Sequence, residues 1–124
     1  MPKTSVYFYV DFDGRPPVLD WLEELRRTTP KAFAKCAAII ERLEAEGHEL
    51  RRPTADMLED GIYELRAKVG TVNYRILYCF VGKNVAFLVH GLTKEAAIPP
   101  ADLDRAKRRK ADLEANPTRR TYKA

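Results

Sequence analysis

Residues 61–94, GIYELRAKVGTVNYRILYCFVGKNVAFLVHGLTK, decide the fold of this chain. They contain three apolar runs that are rich in β-branched and aromatic residues, namely Ile62–Arg66, Val72–Phe80 and Val85–Leu92. The short connections between these runs carry Gly or Asn, which tolerate the positive φ that a tight hairpin needs. The pattern therefore predicts two consecutive hairpins, which form an antiparallel meander at the centre of the fold.

The sequence before the meander predicts a helical hairpin. Val18–Arg27 places its apolar residues on one stripe with helical spacing. A second helix is predicted to have Thr29 as its N-cap and Pro30 as its first residue, and to run to Glu46. Two helices with so short a connection pack together and must cover a sheet face. The predicted partner is the face of the middle strand that carries Tyr74, Ile76, Tyr78 and Phe80.

The rest of the chain completes a predicted α+β fold, a helical hairpin packed on a small antiparallel sheet, with the order β-α-α-β-β-β-α. Ser5–Asp11 alternates in the manner of a strand, and residues 48–60 predict a polar connector. Leu103–Glu114 predicts a short helix with little apolar footing, which should lie on the surface. We expect one domain over residues 1–115 and a flexible basic tail over residues 116–124.

The composition restricts the class of protein. The chain has 124 residues, 45% of them hydrophobic and 32% charged, as in a globular protein that builds its own core. No apolar stretch reaches the length of a membrane span and the N-terminus lacks a signal-peptide pattern, so we expect a cytoplasmic protein without a membrane partner. Cys36 and Cys79 are expected to be buried, and no Cys/His spacing indicates a metal site.

The net charge of +4 is unevenly distributed along the chain. Residues 101–124 hold eight Lys/Arg and four Asp/Glu, whereas residues 1–100 hold fourteen of each. A basic segment beside a balanced domain is typical of proteins that bind nucleic acid or another polyanion. A solvated tail would have the same composition, so charge alone leaves both interpretations open.

Four basic residues lie on the meander or at the ends of its strands: Arg66, Arg75, His90 and Lys94. Because neighbouring strands lie about 5 Å apart, these side chains could converge within the span of one nucleotide. Metal-free RNA cleavage needs a base, an acid and cations that stabilise the charged phosphorane. Arginine suits the last task and histidine suits proton transfer. Two structural alternatives remain open: Arg75 pairs with Glu64 across the hairpin, or His90 binds a backbone carbonyl.

Four segments carry a family pattern: GIYELR at residues 61–66, YRILY at 74–78, LVHGLTK at 88–94 and IPPADLDRAKRR at 98–109. In this order and spacing they resemble the RelE/ParE toxin superfamily, and more closely its HigB-like, phage-derived branch. The resemblance implies a compact α+β fold in which a helical hairpin packs on an antiparallel sheet.

The resemblance also implies a function. It indicates the toxin of a type II toxin–antitoxin module, a ribosome-dependent endoribonuclease that cuts mRNA in the ribosomal A site and needs neither a metal nor a cofactor. Its partners would be mRNA, the ribosome with its rRNA, and a helix-turn-helix antitoxin. Operator DNA would be reached only indirectly, through that antitoxin.

Site residues follow from the matched segments. Arg66 and Arg75 match the phosphate-contacting arginines of the family, and Lys94 lies where the branch has its functional Lys or Arg after HG. His90 is our own candidate for the acid or base. Contacts to ribosomal RNA are expected from Lys68 and from the basic helix, through Arg105, Lys107, Arg108, Arg109 and Lys110.

Two other functions would suit the same fold. One is a ParE-like protein that inhibits DNA gyrase without cutting RNA. The other is a degenerate toxin that only binds its antitoxin. The second rests on departures from the RelE branch, because Ile62 and Glu64 stand where that branch has two lysines and no tyrosine occurs near residues 98–101.

Overall fold

The computed structural model describes residues 3–51, 53–93 and 97–122. It confirms the α+β class, and within these described residues it contains three α-helices and a mostly antiparallel sheet of six strands. In chain order the elements are β1 (Ser5–Tyr9), α1 (Pro17–Thr28), α2 (Pro30–Glu46), a short 3₁₀ helix (Gly47–Glu49), β2 (Ala55–Met57), β3 (Tyr63–Val69), β4 (Val72–Phe80), β5 (Val85–Thr93), α3 (Pro100–Ala115) and β6 (Thr121–Tyr122).

The predicted meander β3–β4–β5 forms the middle of the sheet, whose strand order is β2-β3-β4-β5-β1-β6. Only β1 and β5 pair in parallel among these neighbours. Strand β3, the first strand of the meander, extends further than predicted. Its pairing with β4 continues through the pair Lys68 and Asn73 to the pair Val69 and Val72. Gly70, with φ of +62°, allows this tight turn. Arg66 therefore lies within a strand and does not end one.

The helical hairpin packs on the predicted face of the sheet. Val18, Leu22 and Cys36 are buried in one cluster with Tyr74, Ile76 and Tyr78 of β4. Trp21 lies against Gly91 of β5, where a Cβ atom would come within 2.5 Å of the indole ring. None of the helices within the described part of the chain is long and apolar enough to cross a membrane.

The opposite face of the sheet is covered by α3. Ala106 and Leu113 of this helix are fully buried beside Leu77, Cys79 and Phe87. The sequence predicted a helix that lies on the surface, but this prediction did not include the buried side of α3. Three apolar residues per four turns are enough here, because the strands below supply the rest of the apolar surface.

Two segments predicted to be irregular contain strands. Within residues 48–60, Ala55–Met57 pairs with β3 as β2. Within the expected tail, Thr121–Tyr122 pairs with β1 as β6. Arg120 anchors it through an ion pair with Asp112 of α3 at 2.7 Å.

Candidate anion-binding site on the sheet

Arg66 and Arg75 are direct partners across the β3–β4 ladder. Glu64 lies on the same face as Arg66, because side chains two residues apart on a strand share a face. Its carboxylate accepts hydrogen bonds from Arg66 at 2.6 Å and from Arg75 at 3.3 Å. Two guanidinium groups are thus held around one carboxylate. The pairing of Arg75 with Glu64, open from sequence, is confirmed.

The cluster is buried on one side and accessible on the other. The Glu64 side chain is 1% exposed and the Arg75 side chain 15%, whereas Arg66 is 37% exposed. A second carboxylate, that of Asp56 on β2, accepts a hydrogen bond from Arg66 at 3.3 Å. Arg66 therefore has two carboxylate partners, and an incoming anion must compete with them.

Arg75 retains unused donor capacity. Its Nε atom is the one buried side-chain nitrogen or oxygen of the described residues that has no hydrogen-bond partner. A buried donor without an acceptor is energetically unfavourable, so an acceptor placed there would be stabilised. The described residues contain no group of three or more His, Cys, Asp or Glu side chains that could hold a metal ion.

His90 belongs to a different part of the site. The β4–β5 register shifts after Leu77, which pairs with His90, while the next residue, Tyr78, pairs with Leu88. This bulge turns His90 toward α3. Arg109 Nη1 donates to its Nδ1 at 3.2 Å, so the proton lies on Nε2, which donates to Asp102 at 2.6 Å. Burial lowers the pKa of His90, and only 7% of the residue is exposed.

The structure brings Arg66 and Arg75 together but does not add His90 to them. Leu77 lies between Glu64 and His90 in the register of three adjacent strands. His90 has two side-chain partners on α3, the carboxylate of Asp102 and the guanidinium of Arg109. The backbone carbonyl that the sequence left open as its partner is not the one found. Lys94 lies outside the described residues, so its predicted role stays a prediction.

The residues predicted to bind ribosomal RNA fall into two groups. Lys68, Arg105 and Arg108 have exposed side chains. The other three are engaged: Lys107 pairs with Glu59 and Asp60, Lys110 pairs with Glu114, and Arg109 donates to the carbonyl of Val89 at 2.7 Å. The basic helix therefore presents fewer available cations than its sequence indicates.

The acids that complete these clusters are Asp56 and Asp102, and no sequence motif predicts either contact. Glu64, by contrast, was available from spacing, because it precedes Arg66 by two residues on a predicted strand. Asp56 could not be found in this way, since β2 has only three residues, too few to show a strand pattern. Asp102 depends on how α3 docks on β5, which no local pattern reveals.

Most of the chain matches one known protein family. No curated protein matches it. The family model described as "Phage derived protein Gp49-like (DUF891)" matches residues 20–111, which include both clusters described above. The matched range begins within α1 and ends within α3, so it covers most of the helical hairpin and the whole meander. The chain therefore belongs to the Gp49-like family of phage-derived proteins, a family of RelE/HigB-like toxins.

Proposed function

We propose that this protein is the toxin of a type II toxin–antitoxin module, and that it stops translation by cutting mRNA on the ribosome without a metal ion. The observation that carries the proposal is the convergence of Arg66 and Arg75 on one carboxylate. A phosphate group is also an anion that suits the planar donor fork of a guanidinium. Family membership supports the toxin part of the proposal.

In the proposed reaction, the 2′-hydroxyl of RNA gives up its proton to a base and its oxygen attacks the adjacent phosphorus atom. The bond to the 5′-oxygen breaks and that oxygen takes up a proton from an acid, which leaves a 2′,3′-cyclic phosphate and a 5′-hydroxyl end. Arg66, the more exposed arginine, would bind the phosphate first. Arg75 would donate to the charge that develops on the phosphorane, where a fixed donor is most effective. Lys94 would neutralise further charge. His90 would act as acid or base only if its hydrogen bonds to Asp102 and Arg109 open.

The proposed contacts with the ribosome come from the exposed cations Lys68, Arg105 and Arg108. Contacts between cations and phosphates supply affinity that does not depend on base sequence and that falls as salt rises. The proposed protein partner is a helix-turn-helix antitoxin in the same cytoplasm, which would also connect the toxin to operator DNA.

Primer extension on a reporter mRNA after brief induction tests the nuclease. We expect cuts in the translated message and none when its start codon is removed. Arg66→Ala should reduce cutting at least tenfold, because it removes the accessible guanidinium. Arg26→Ala is the matched control, since Arg26 is exposed on α1 and pairs with Glu23 at 2.9 Å. Retained cutting in an Arg75→Ala/Lys94→Ala double variant would contradict the site assignment.

A toxin-like protein that only binds its antitoxin is the second candidate function. Its support is the mutual pairing of charges in the arginine cluster, together with the burial of His90. Intact message with normal growth would favour it. Intact message with arrested growth and a DNA-damage response would instead favour a ParE-like gyrase inhibitor.

A further inference from the structure

A cleft of about 590 Å³ lies at the edge of the sheet, on the side of the helical hairpin. It is formed by β2, the start of β3, the 3₁₀ helix and the turn that follows this helix, and its wall includes Tyr63, Met57, His48 and Arg51. Its volume is in the range of small-ligand sites. Side-chain alternation places it on the opposite face of β2 and β3 from the Arg66–Glu64 cluster.

The cleft is lined by aromatic rings that are fixed by other rings. Tyr63 stacks on Tyr78 with ring centroids 5.4 Å apart and contacts Phe80 edge to face. His48 stacks on Phe80 at 3.6 Å. Met57, whose residue is 62% exposed, stands opposite Tyr63 in the β2–β3 register. Rigid rings beside a polarisable thioether form a surface on which a planar ring can stack.

Arg51 adds a positive charge to the same wall. Its Nη1 donates to the backbone carbonyls of His48 and Leu50, which turns the guanidinium back onto its own loop. The described hydrogen bonds use Nη1 alone, and an arginine has five N–H donors in all. Donors therefore remain for an anionic group that enters the cleft.

A ring platform beside a guanidinium suits one chemical class, a base that carries a phosphate. One acid, Asp56, also lines the cleft, and its carboxylate is engaged with Arg66 on the neighbouring strand β3. We propose that the cleft binds a ribonucleotide, with its base on Tyr63 and His48 and its phosphate at Arg51. The ligand is either a free mononucleotide or one nucleotide of an RNA chain that crosses the edge of β2 toward Arg66. The second form rests on the proposed function and the first does not.

The test uses the full ¹⁵N-labelled chain titrated with adenosine 5′-monophosphate, and with adenosine and inorganic phosphate separately. We expect saturable shifts of the amides of Leu50, Ala55 and Met57. The amides of Lys68 and Asn73, at the far end of β3 and β4, should not move. The mononucleotide should bind more tightly than adenosine or phosphate alone, because it uses both the rings and the guanidinium.

Variants identify the residues that hold the ligand. Met57→Ala and His48→Ala should each weaken binding about fivefold or more, since stacking partners contribute strongly to base affinity. Both side chains are exposed, so these variants should fold even if Tyr63→Ala does not. Phe12→Ala, which truncates an exposed aromatic residue elsewhere, is the control and should leave binding unchanged.

An uncleavable 2′-O-methyl trinucleotide distinguishes the two sources. If the ligand is part of an RNA chain, the trinucleotide binds more tightly than the mononucleotide, and Arg66→Ala weakens only the trinucleotide. If the ligand is free, both bind alike. Equal mononucleotide affinity in Met57→Ala, His48→Ala and the unmodified chain would overturn the inference, whether or not the protein cuts mRNA. Mononucleotide binding without mRNA cleavage would support it while contradicting the proposed nuclease.

Discussion

The imidazole of His90 and the carboxylate of Asp102 lie 2.6 Å apart and join β5 to the first turn of α3. The face of the sheet that packs against α3 has two parts, and this contact lies on one of them. On one part α3 is docked through His90 and Arg109. On the other, Arg66 and Arg75 surround Glu64 near solvent. A histidine that looked catalytic in sequence thus has a clear structural task.

This arrangement predicts how stability depends on pH. The folded state holds His90 neutral, with Nδ1 as an acceptor, and its pKa is lowered by burial. Below the ordinary pKa of histidine, about 6.5, the unfolded state binds a proton that the folded state does not. Stability should therefore fall as pH decreases below about 6.5, by at most about 1.4 kcal/mol per pH unit from this residue.

Urea unfolding at several pH values measures the effect. In His90→Gln the amide can replace both hydrogen bonds without titrating, so the slope between pH 7 and pH 5 should be shallower than in the unmodified protein. His48→Gln changes the other histidine and serves as the control. Equal slopes in the unmodified protein and His90→Gln would show that His90 does not titrate in this way.

The buried carboxylate predicts a large effect of Glu64→Ala on stability. Removing one partner of a buried ion pair leaves the other charge uncompensated and costs about 3 kcal/mol or more. Arg75 would then lose the one described partner of its guanidinium, while Arg66 keeps Asp56. Glu24→Ala on α1 removes an exposed pair and should cost less than about 0.5 kcal/mol. Similar unfolding free energies for both variants would mean that the cluster contributes little.

The second acid of the cluster predicts a gain in anion affinity. Asp56→Asn removes a carboxylate that competes for Arg66, so a phosphate can take its place. Affinity for an uncleavable single-stranded 2′-deoxy oligonucleotide should rise, and the slope of log K against log salt should steepen by about 0.7. Asp20→Asn makes the same charge change on the exposed surface of α1. If both variants change the oligonucleotide affinity and its salt dependence equally, the effect comes from net charge alone.

The contact between Trp21 and Gly91 predicts a local packing defect. Gly91→Ala would place a methyl group 2.5 Å from the indole ring, and such overpacking costs about 1–3 kcal/mol. In a Trp21→Leu background the same substitution should cost less, because the ring that it meets is gone. Chemical denaturation of the unmodified protein, the two single variants and the double variant measures the coupling between the two substitutions. If their effects on the free energy of unfolding are additive, the clash is ruled out.

The sequence predicted the layers well and the contacts between them poorly. Alternation on β4 assigned Tyr74, Ile76 and Tyr78 to the helical hairpin because side-chain direction follows from local geometry alone. The bulge before His90 is a feature of the pairing between β4 and β5, which alternation along a single strand does not reveal. For the same reason β2 and β6 were missed, because strands of two or three residues are defined by their partners.

The last prediction concerns the anchoring of β6. Arg120 donates a hydrogen bond to Asp112 at 2.7 Å, and the same carboxylate accepts a hydrogen bond from the hydroxyl of Tyr9 at 2.7 Å. Two paired residues cannot hold an edge strand alone, so Arg120→Ala should release β6 from β1. The amide of Val10, which donates to the carbonyl of Arg120, should then exchange with solvent about tenfold faster or more. Arg119→Ala, at the exposed neighbour, should leave that rate unchanged, and protection of Val10 in both variants would show that backbone pairing alone holds the strand.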